Sequence, residues 1–289
     1  MSLPLTPAKY RSASIFAPED FLAYMKQSRL LKDDDKVPRA IILSYQKTLF
    51  DYVNKHHPVT RHEGYFRNHL AYLDETDGDV AIAGRFGIGA PAAAVILEEL
   101  IAFGCRIFIS IGTAGSLVPD LPPGAFVLCD GALRDDGVSY HYVPGGGLAL
   151  PNEPLTSAMA TALRHEGVPF RRGLAWTTDA IYRETAVEMA ERIDQGALVV
   201  EMEAAALFTV ARYRSAHLAA CFTISDSLAE PEWKPEFLAV ETNAGLETLY
   251  RAALAALAPL APLAPLAAPP APAPLAAPAV SATPASPGG

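Results

Sequence analysis

Glu201, Met202 and Glu203 set two carboxylates around a thioether where an apolar run, residues 197–200, gives way to a small-residue helical pattern, residues 204–211. A carboxylate is costly to bury unless it is paired or accepts hydrogen bonds. At a helix opening it meets free backbone N–H groups and the positive end of the dipole. Two readings follow. The pair caps a helix, or a carboxylate held this way accepts two hydrogen bonds from a diol, such as the 2′- and 3′-hydroxyls of a ribose.

Four other segments have the composition of ligand-binding junctions, which in open α/β sheets lie where strands end. In Arg85-Phe86-Gly87-Ile88-Gly89-Ala90-Pro91, two glycines let backbone approach a ligand and Pro91 suits the first turn of a helix. A tight turn without a ligand fits equally. Ser110-Ile111-Gly112-Thr113-Ala114-Gly115-Ser116 reads as a turn whose successive N–H groups form an anion-binding nest, or as a strand end packed closely on a neighbour. Asp226, in Thr223-Ile224-Ser225-Asp226, is a cap or a general acid. In Trp176–Thr185, Thr178, Asp179, Ile181, Tyr182 and Glu184 mix hydroxyl, aromatic and acidic groups, which suits a planar heterocycle. The alternative is a helix start capped by Asp179 or Thr185.

The elements that position these residues form an α/β pattern. Strand-like runs recur at 39–45, 80–83, 106–111, 126–129, 173–176, 197–200 and 218–224, with helical patterns at 91–103 and 155–165 between them. That alternation predicts one α/β domain with a largely parallel or mixed sheet. Residues 1–35 read as an N-terminal arm with one helix near 18–27, and residues 36–257 as the catalytic domain. Residues 258–289, which hold ten of the 25 prolines, read as a disordered or polyproline-like tail, because proline cannot propagate a helix.

With 289 residues, 51% of them hydrophobic, the chain can bury a sizeable core. A formal net charge of −9 without a basic run argues against nucleic acid as a partner. Cys105, Cys129 and Cys221 lack metal-ligand spacing, so no metal is expected, and an odd count argues for buried thiols in a reducing cytoplasm. No uninterrupted apolar run is long enough to span a membrane.

Taken together and in this order, these segments resemble the nucleoside phosphorylase family, which includes purine nucleoside phosphorylases, uridine phosphorylases and related nucleosidases. The matching blocks are Gly87-Ile88-Gly89-Ala90-Pro91 with Glu98-Glu99-Leu100 on its helix, Ile111-Gly112-Thr113-Ala114-Gly115-Ser116, Thr177-Thr178-Asp179-Ala180-Ile181-Tyr182, Val200-Glu201-Met202-Glu203-Ala204-Ala205 and Ile224-Ser225-Asp226. The resemblance implies an α/β fold around a mixed, partly barrel-like sheet, assembly as a homodimer or higher homo-oligomer, and cleavage of the N-glycosidic bond of a small-molecule nucleoside. It implies no cofactor, with inorganic phosphate as co-substrate. It makes Glu203 the ribose diol acceptor, with Met202 and Glu201 beside the sugar. Asp226 becomes the acid that protonates a purine ring nitrogen. Thr178, Ile181, Tyr182 and Glu184 fall on the base side, and Arg85, Gly87, Gly112 and Thr113 on the phosphate side. The chemistry is coherent, since carboxylate and phosphate stabilise an oxocarbenium-like sugar and Asp226 activates the leaving base. Asp226 favours purine over uridine.

The departures lie on the nucleophile side. Phosphorylases carry Gly-Asp-Pro followed by arginine after the first strand, whereas here Leu43-Ser44-Tyr45-Gln46-Lys47 follows. Ser110 stands where an arginine precedes the Gly-Thr loop, and Phe86 where a threonine is expected. Bidentate arginines are the usual phosphate holders. Two alternatives therefore stand beside phosphorolysis: a nucleosidase using water, and a non-catalytic nucleoside-binding protein.

Overall fold

The computed structural model describes residues 6–229 and 233–258. Apart from Ala258, the expected tail lies outside them. In chain order the strands are β1 (Ala40–Ser44), β2 (Val59–Arg61), β3 (Leu70–Leu73), β4 (Val80–Ala83), β5 (Ile107–Ser116), β6 (Phe126–Asp135), β7 (Leu148–Ala149), β8 (Phe170–Thr178), β9 (Ala197–Glu201), β10 (His217–Ser227) and β11 (Lys234–Pro235). The helices are α1 (Pro18–Gln27), α2 (Lys47–His56), α3 (Ala90–Phe103), α4 (Ser139–Tyr142), α5 (Glu153–His165), α6 (Ala186–Asp194), α7 (Ala204–Tyr213) and α8 (Val240–Leu257).

One mixed sheet holds all these strands. β10, β6, β8, β9 and β5 pair in turn, and β10 pairs again with β5, so this part closes on itself as a five-stranded barrel. From β5 an open wing continues through β1, β4, β3 and β2. β1 and β4 are buried along their whole length, as unbroken apolar runs require in strands covered on both faces.

Helices α1, α3 and α7 bury Leu22, Leu97, Leu100 and Phe208 in one core cluster. Helices α2, α5 and α8 bury Phe50, Leu155 and Tyr250 in a second. Helix α6 leans on the barrel, with Met189 and Ile193 packed against Trp176 and Val200. Each large apolar side chain so buried contributes roughly 1.5–3 kcal/mol.

One register detail fixes where a ligand can enter. β5 pairs with β10 along its whole length. Its other edge pairs with β1 only over residues 107–111 and with β9 only at Gly115 and Ser116. Between them Gly112, Thr113 and Ala114 have no strand on that side. The wing and the barrel part there, which is the kind of crevice where α/β sheets bind ligands. The expected turn at residues 110–116 is therefore strand throughout, and what it offers is a free strand edge rather than a nest.

Candidate active site

β8 and β9 run parallel with Thr177 opposite Glu201. The Thr177 hydroxyl donates to Glu201 Oε1 and accepts from the Ala205 N–H at 3.0 Å. Glu201 Oε2 accepts from the Glu203 and Ala204 N–H groups at 2.7 and 2.8 Å. Glu201 thus caps α7, satisfying amides the helix leaves open. Glu203 turns away from its own helix and accepts from the Gly89 N–H, at the opening of α3. Gly89 adopts φ +90°, a conformation that favours glycine. A Cβ at Gly89 would stand 3.8 Å from the Met202 methyl. Both glutamates are buried. Burial raises the affinity of each for a proton, and the charge of Glu201 raises that of Glu203 further.

The free edge of β5 faces neutral groups. The Tyr45 hydroxyl lies 2.6 Å from Ser110 Oγ, and Gln46 Nε2 donates to Thr113 Oγ1 at 2.9 Å. The Tyr45 ring packs edge-on against Phe86, centroids 5.6 Å apart, and a Cβ at Gly112 would meet it at 3.0 Å. Burial and the nearby Glu203 charge hold the Tyr45 phenol protonated.

On the third side, a bulge between Ile224 and Asp226 re-aims β10, as bulges beside sites commonly do. Asp226 is only 6% exposed. Its Oδ1 accepts from Ser225 Oγ at 2.8 Å and its Oδ2 from Trp233 Nε1 at 3.0 Å. A Cβ at Gly115 would meet the Leu228 methyl at 2.7 Å and Asp226 Oδ2 at 3.3 Å, so a larger residue there would push on the Leu228 side chain and crowd the Asp226 carboxyl. Glu184 stands near enough to feel the Asp226 charge. Its carboxyl is pushed up to about 7, by burial first and then by Asp226 and Glu188.

Residues 38–258 match the model of the phosphorylase superfamily. The chain belongs to this superfamily. It is 31% identical over 142 residues to a guanosine phosphorylase of Halorubrum lacusprofundi, covering 49% of this chain and 59% of that one. It is 28% identical over 158 residues to a uridine phosphorylase of Haemophilus influenzae, covering 50% and 63%. It is 30% identical over 182 residues to a DeoD-type purine nucleoside phosphorylase of Exiguobacterium sibiricum, covering 61% and 74%. The first two matches thus span less than two thirds of those relatives. The fold matches a purine nucleoside phosphorylase of Toxoplasma gondii, solved in complex with immucillin-H, with a TM-score of 0.65 at 20% identity over 78% of this chain and 92% of that one. The partly barrel-like α/β architecture expected from the resemblance is thereby established.

Within this superfamily fold, the expected residues divide. Glu203, Met202, Gly89, Gly112 and Thr113 gather around the crevice, and Glu184 lies within reach of the Asp226 charge. Thr178 is buried, and its Oγ1 accepts from Ala180 N–H at 3.2 Å. Tyr182 is 94% exposed and Ile181 39%, so a single chain does not fold them onto Asp226. Thr185 caps α6 by accepting from Glu188 N–H at 3.3 Å. Arg85 ion-pairs with Asp51, which also holds Lys47 at 3.1 Å. Arg85 of the Gly-x-Gly turn and Lys47 of α2 are thus both tied to one aspartate on α2. Gly87 supplies the turn itself at φ +100°.

The sequence reading missed two contributors. Trp233 reaches Asp226 from outside every matching block. Asp136, only 2% exposed, accepts from Ser139 N–H at 2.6 Å and leaves Oδ2 buried without a partner among the described residues. Its charge acts on Glu201. The acidic Asp135-Asp136 pair closing an apolar strand was the available signal. A groove of about 360 Å³ between α5, α7 and the start of β10, lined by Leu150, Phe208 and Arg212, includes none of these residues. Among the described residues no group of acids, histidines or cysteines could hold a metal, and no helix is long and apolar enough to cross a membrane.

Proposed function

We propose that this chain cleaves the N-glycosidic bond of a nucleoside by phosphorolysis, yielding free base and (deoxy)ribose 1-phosphate, with purine nucleosides preferred over uridine. The observation that carries the reading is the buried Glu203 carboxylate at the meeting of two helix openings, beside the free edge of β5. There it accepts the ribose hydroxyls and faces the cationic sugar of the transition state. Met202 packs on the sugar, and Glu201 holds Glu203 in place by capping α7. Asp226 delivers a proton to the purine ring nitrogen as the bond breaks, so the base leaves neutral. Phosphate enters over Gly112 and Thr113, where Tyr45, Gln46 and Ser110 supply neutral donors. The named relatives support phosphorolysis and leave the base open, since guanosine, purine nucleoside and uridine phosphorylases are all among them.

Assembly as a homo-oligomer belongs to the same proposal, and the exposed Ile88, Val95 and Tyr182 are the surface it would cover. A cytoplasmic setting follows from phosphate and nucleosides as substrates. The test is base release from adenosine, guanosine, inosine and uridine, each with and without inorganic phosphate. Phosphate-dependent release fastest from a purine nucleoside is expected. Release at full rate without phosphate would overturn phosphorolysis, and uridine as the best substrate would overturn the base assignment.

A further inference from the structure

A planar base needs an apolar face to lie on, and that face does not come from the segment expected to supply it. Tyr182 and Ile181 are exposed, and the Thr178 hydroxyl accepts from Ala180 N–H. In a single chain none of the three folds onto Asp226.

Trp233 stands there instead. The antiparallel pairing of β10 with β11 sets Asp226 opposite Pro235 and Ser227 opposite Lys234, and Glu236 N–H donates to the Ser225 carbonyl at 2.8 Å. These backbone bonds bring residue 233 alongside Asp226, whose Oδ2 accepts from Trp233 Nε1 at 3.0 Å. The same oxygen lies 3.3 Å from where a Gly115 Cβ would stand, and Val200, which precedes Glu201, lies 3.2 Å from that position. One carboxyl group thus separates the indole from β5 and β9, the strands that carry the crevice edge and Glu201. Trp233 nevertheless remains 61% exposed. Phe237 backs it, with ring centroids 6.2 Å apart and planes tilted by 58°. An indole fixed at its N–H edge and otherwise open offers a large flat surface at little cost in lost side-chain freedom.

We propose that Trp233 is the platform on which the purine base lies, with the base edge that bears the ring nitrogen turned to Asp226. The inference rests on the nucleoside-cleaving reading above. Each carboxyl oxygen carries two lone pairs, so Asp226 Oδ2 keeps its bond to the indole while it faces the base. A two-ring base covers more of the indole than a uracil does, so the platform favours purine nucleosides over uridine. Stacking on an aromatic face tolerates any purine, so Trp233 selects for the size of the base and leaves adenine, guanine and hypoxanthine to other contacts.

Free bases test this without turnover. The chain has two tryptophans, and the other, Trp176, is fully buried and donates to Asp135. Adenine, guanine and hypoxanthine should quench the fluorescence that W233F removes, and uracil should quench it less. By calorimetry, W233A should bind the purine bases about tenfold more weakly, and W233F, which keeps a ring, within about twofold of wild type. In turnover, W233A should raise the purine nucleoside KM about tenfold and the uridine KM about twofold, leaving the phosphate KM unchanged. Purine bases that bind W233A as tightly as wild type overturn the platform, as do bases that bind without changing the Trp233 emission, or a wild-type protein that binds none of them. Equal weakening in W233F and W233A also overturns it, since the N–H rather than the ring face would then matter. If bases bind as expected and no nucleoside is cleaved, the phosphorolytic reading fails while the platform stands.

Discussion

The two sides of the β5 crevice are built from opposite materials. On the side that the proposed function gives to sugar and base stand carboxyl groups, Glu201, Glu203, Glu184 and Asp226, buried or half-buried. On the nucleophile side stand neutral groups, Tyr45, Gln46, Ser110 and Thr113, with Phe86 closing the edge. The nearest basic side chains on α2 and the Gly-x-Gly turn are paired with Asp51. In the proposed reaction the acidic side stabilises positive charge on the sugar and protonates the leaving base. In that reaction the neutral side would meet phosphate with hydroxyl and amide dipoles, which hold it less tightly than guanidinium groups do. The difference teaches that the carboxylates the proposed sugar chemistry needs are present, while the proposed phosphate side is built from neutral donors.

Breaking the acidic side should give the largest effects. Glu203→Ala removes the carboxylate facing the cationic sugar, and kcat/KM for a purine ribonucleoside is expected to fall about 10³-fold. Steady-state assays on folded variant, checked by circular dichroism, measure this. Asp226→Asn should cost about 10²-fold in kcat for purine nucleosides. An activated nucleoside whose leaving base needs no protonation should recover most of that loss, and a loss of equal size on that substrate would contradict the acid role.

The neutral side should respond more gently. Tyr45→Phe deletes the hydroxyl bonded to Ser110, and the phosphate KM is expected to rise about fivefold, the equivalent of one hydrogen bond of about 1 kcal/mol. The nucleoside KM should not change, and initial-rate kinetics with both substrates varied would show it. A shift in nucleoside KM instead would place Tyr45 on the sugar.

The smallest effect concerns stability against pH. The folded-state affinity of Glu184 for its proton is raised from the ordinary 4.5 to about 7. Over that window the folded chain holds a proton that the unfolded chain has released, so stability falls as pH rises through it. Glu184→Gln should flatten this part of a melting-temperature profile between about pH 5 and 7, without changing stability at the acid end.

The sequence carried the α/β class and the strand-end placement of the blocks, because each depends on local pattern: an apolar strand, a small-residue junction, a helix. The division of labour between Glu201 and Glu203 was not legible. It depends on Thr177 standing opposite Glu201 across two strands, which spends one carboxylate on the helix and leaves the other for the crevice. The fate of Arg85 was hidden for the same reason, since Asp51 reaches it only once α2 packs beside the turn. Tyr182 looked like a base-stacking ring by its neighbours, yet the backbone of Ile181–Arg183 directs it into solvent. Trp233 carried no motif at all.

The hydrogen bond from Gly89 to Glu203 joins residues 114 apart in the chain. Contacts of such long separation form late, because the loop they close must first lose its conformational freedom. Neither the first half of the chain nor the second contains a working sugar site. During refolding, binding competence should therefore lag behind secondary structure, and a chain cut between α3 and α7 should regain the site only when its two pieces reassociate.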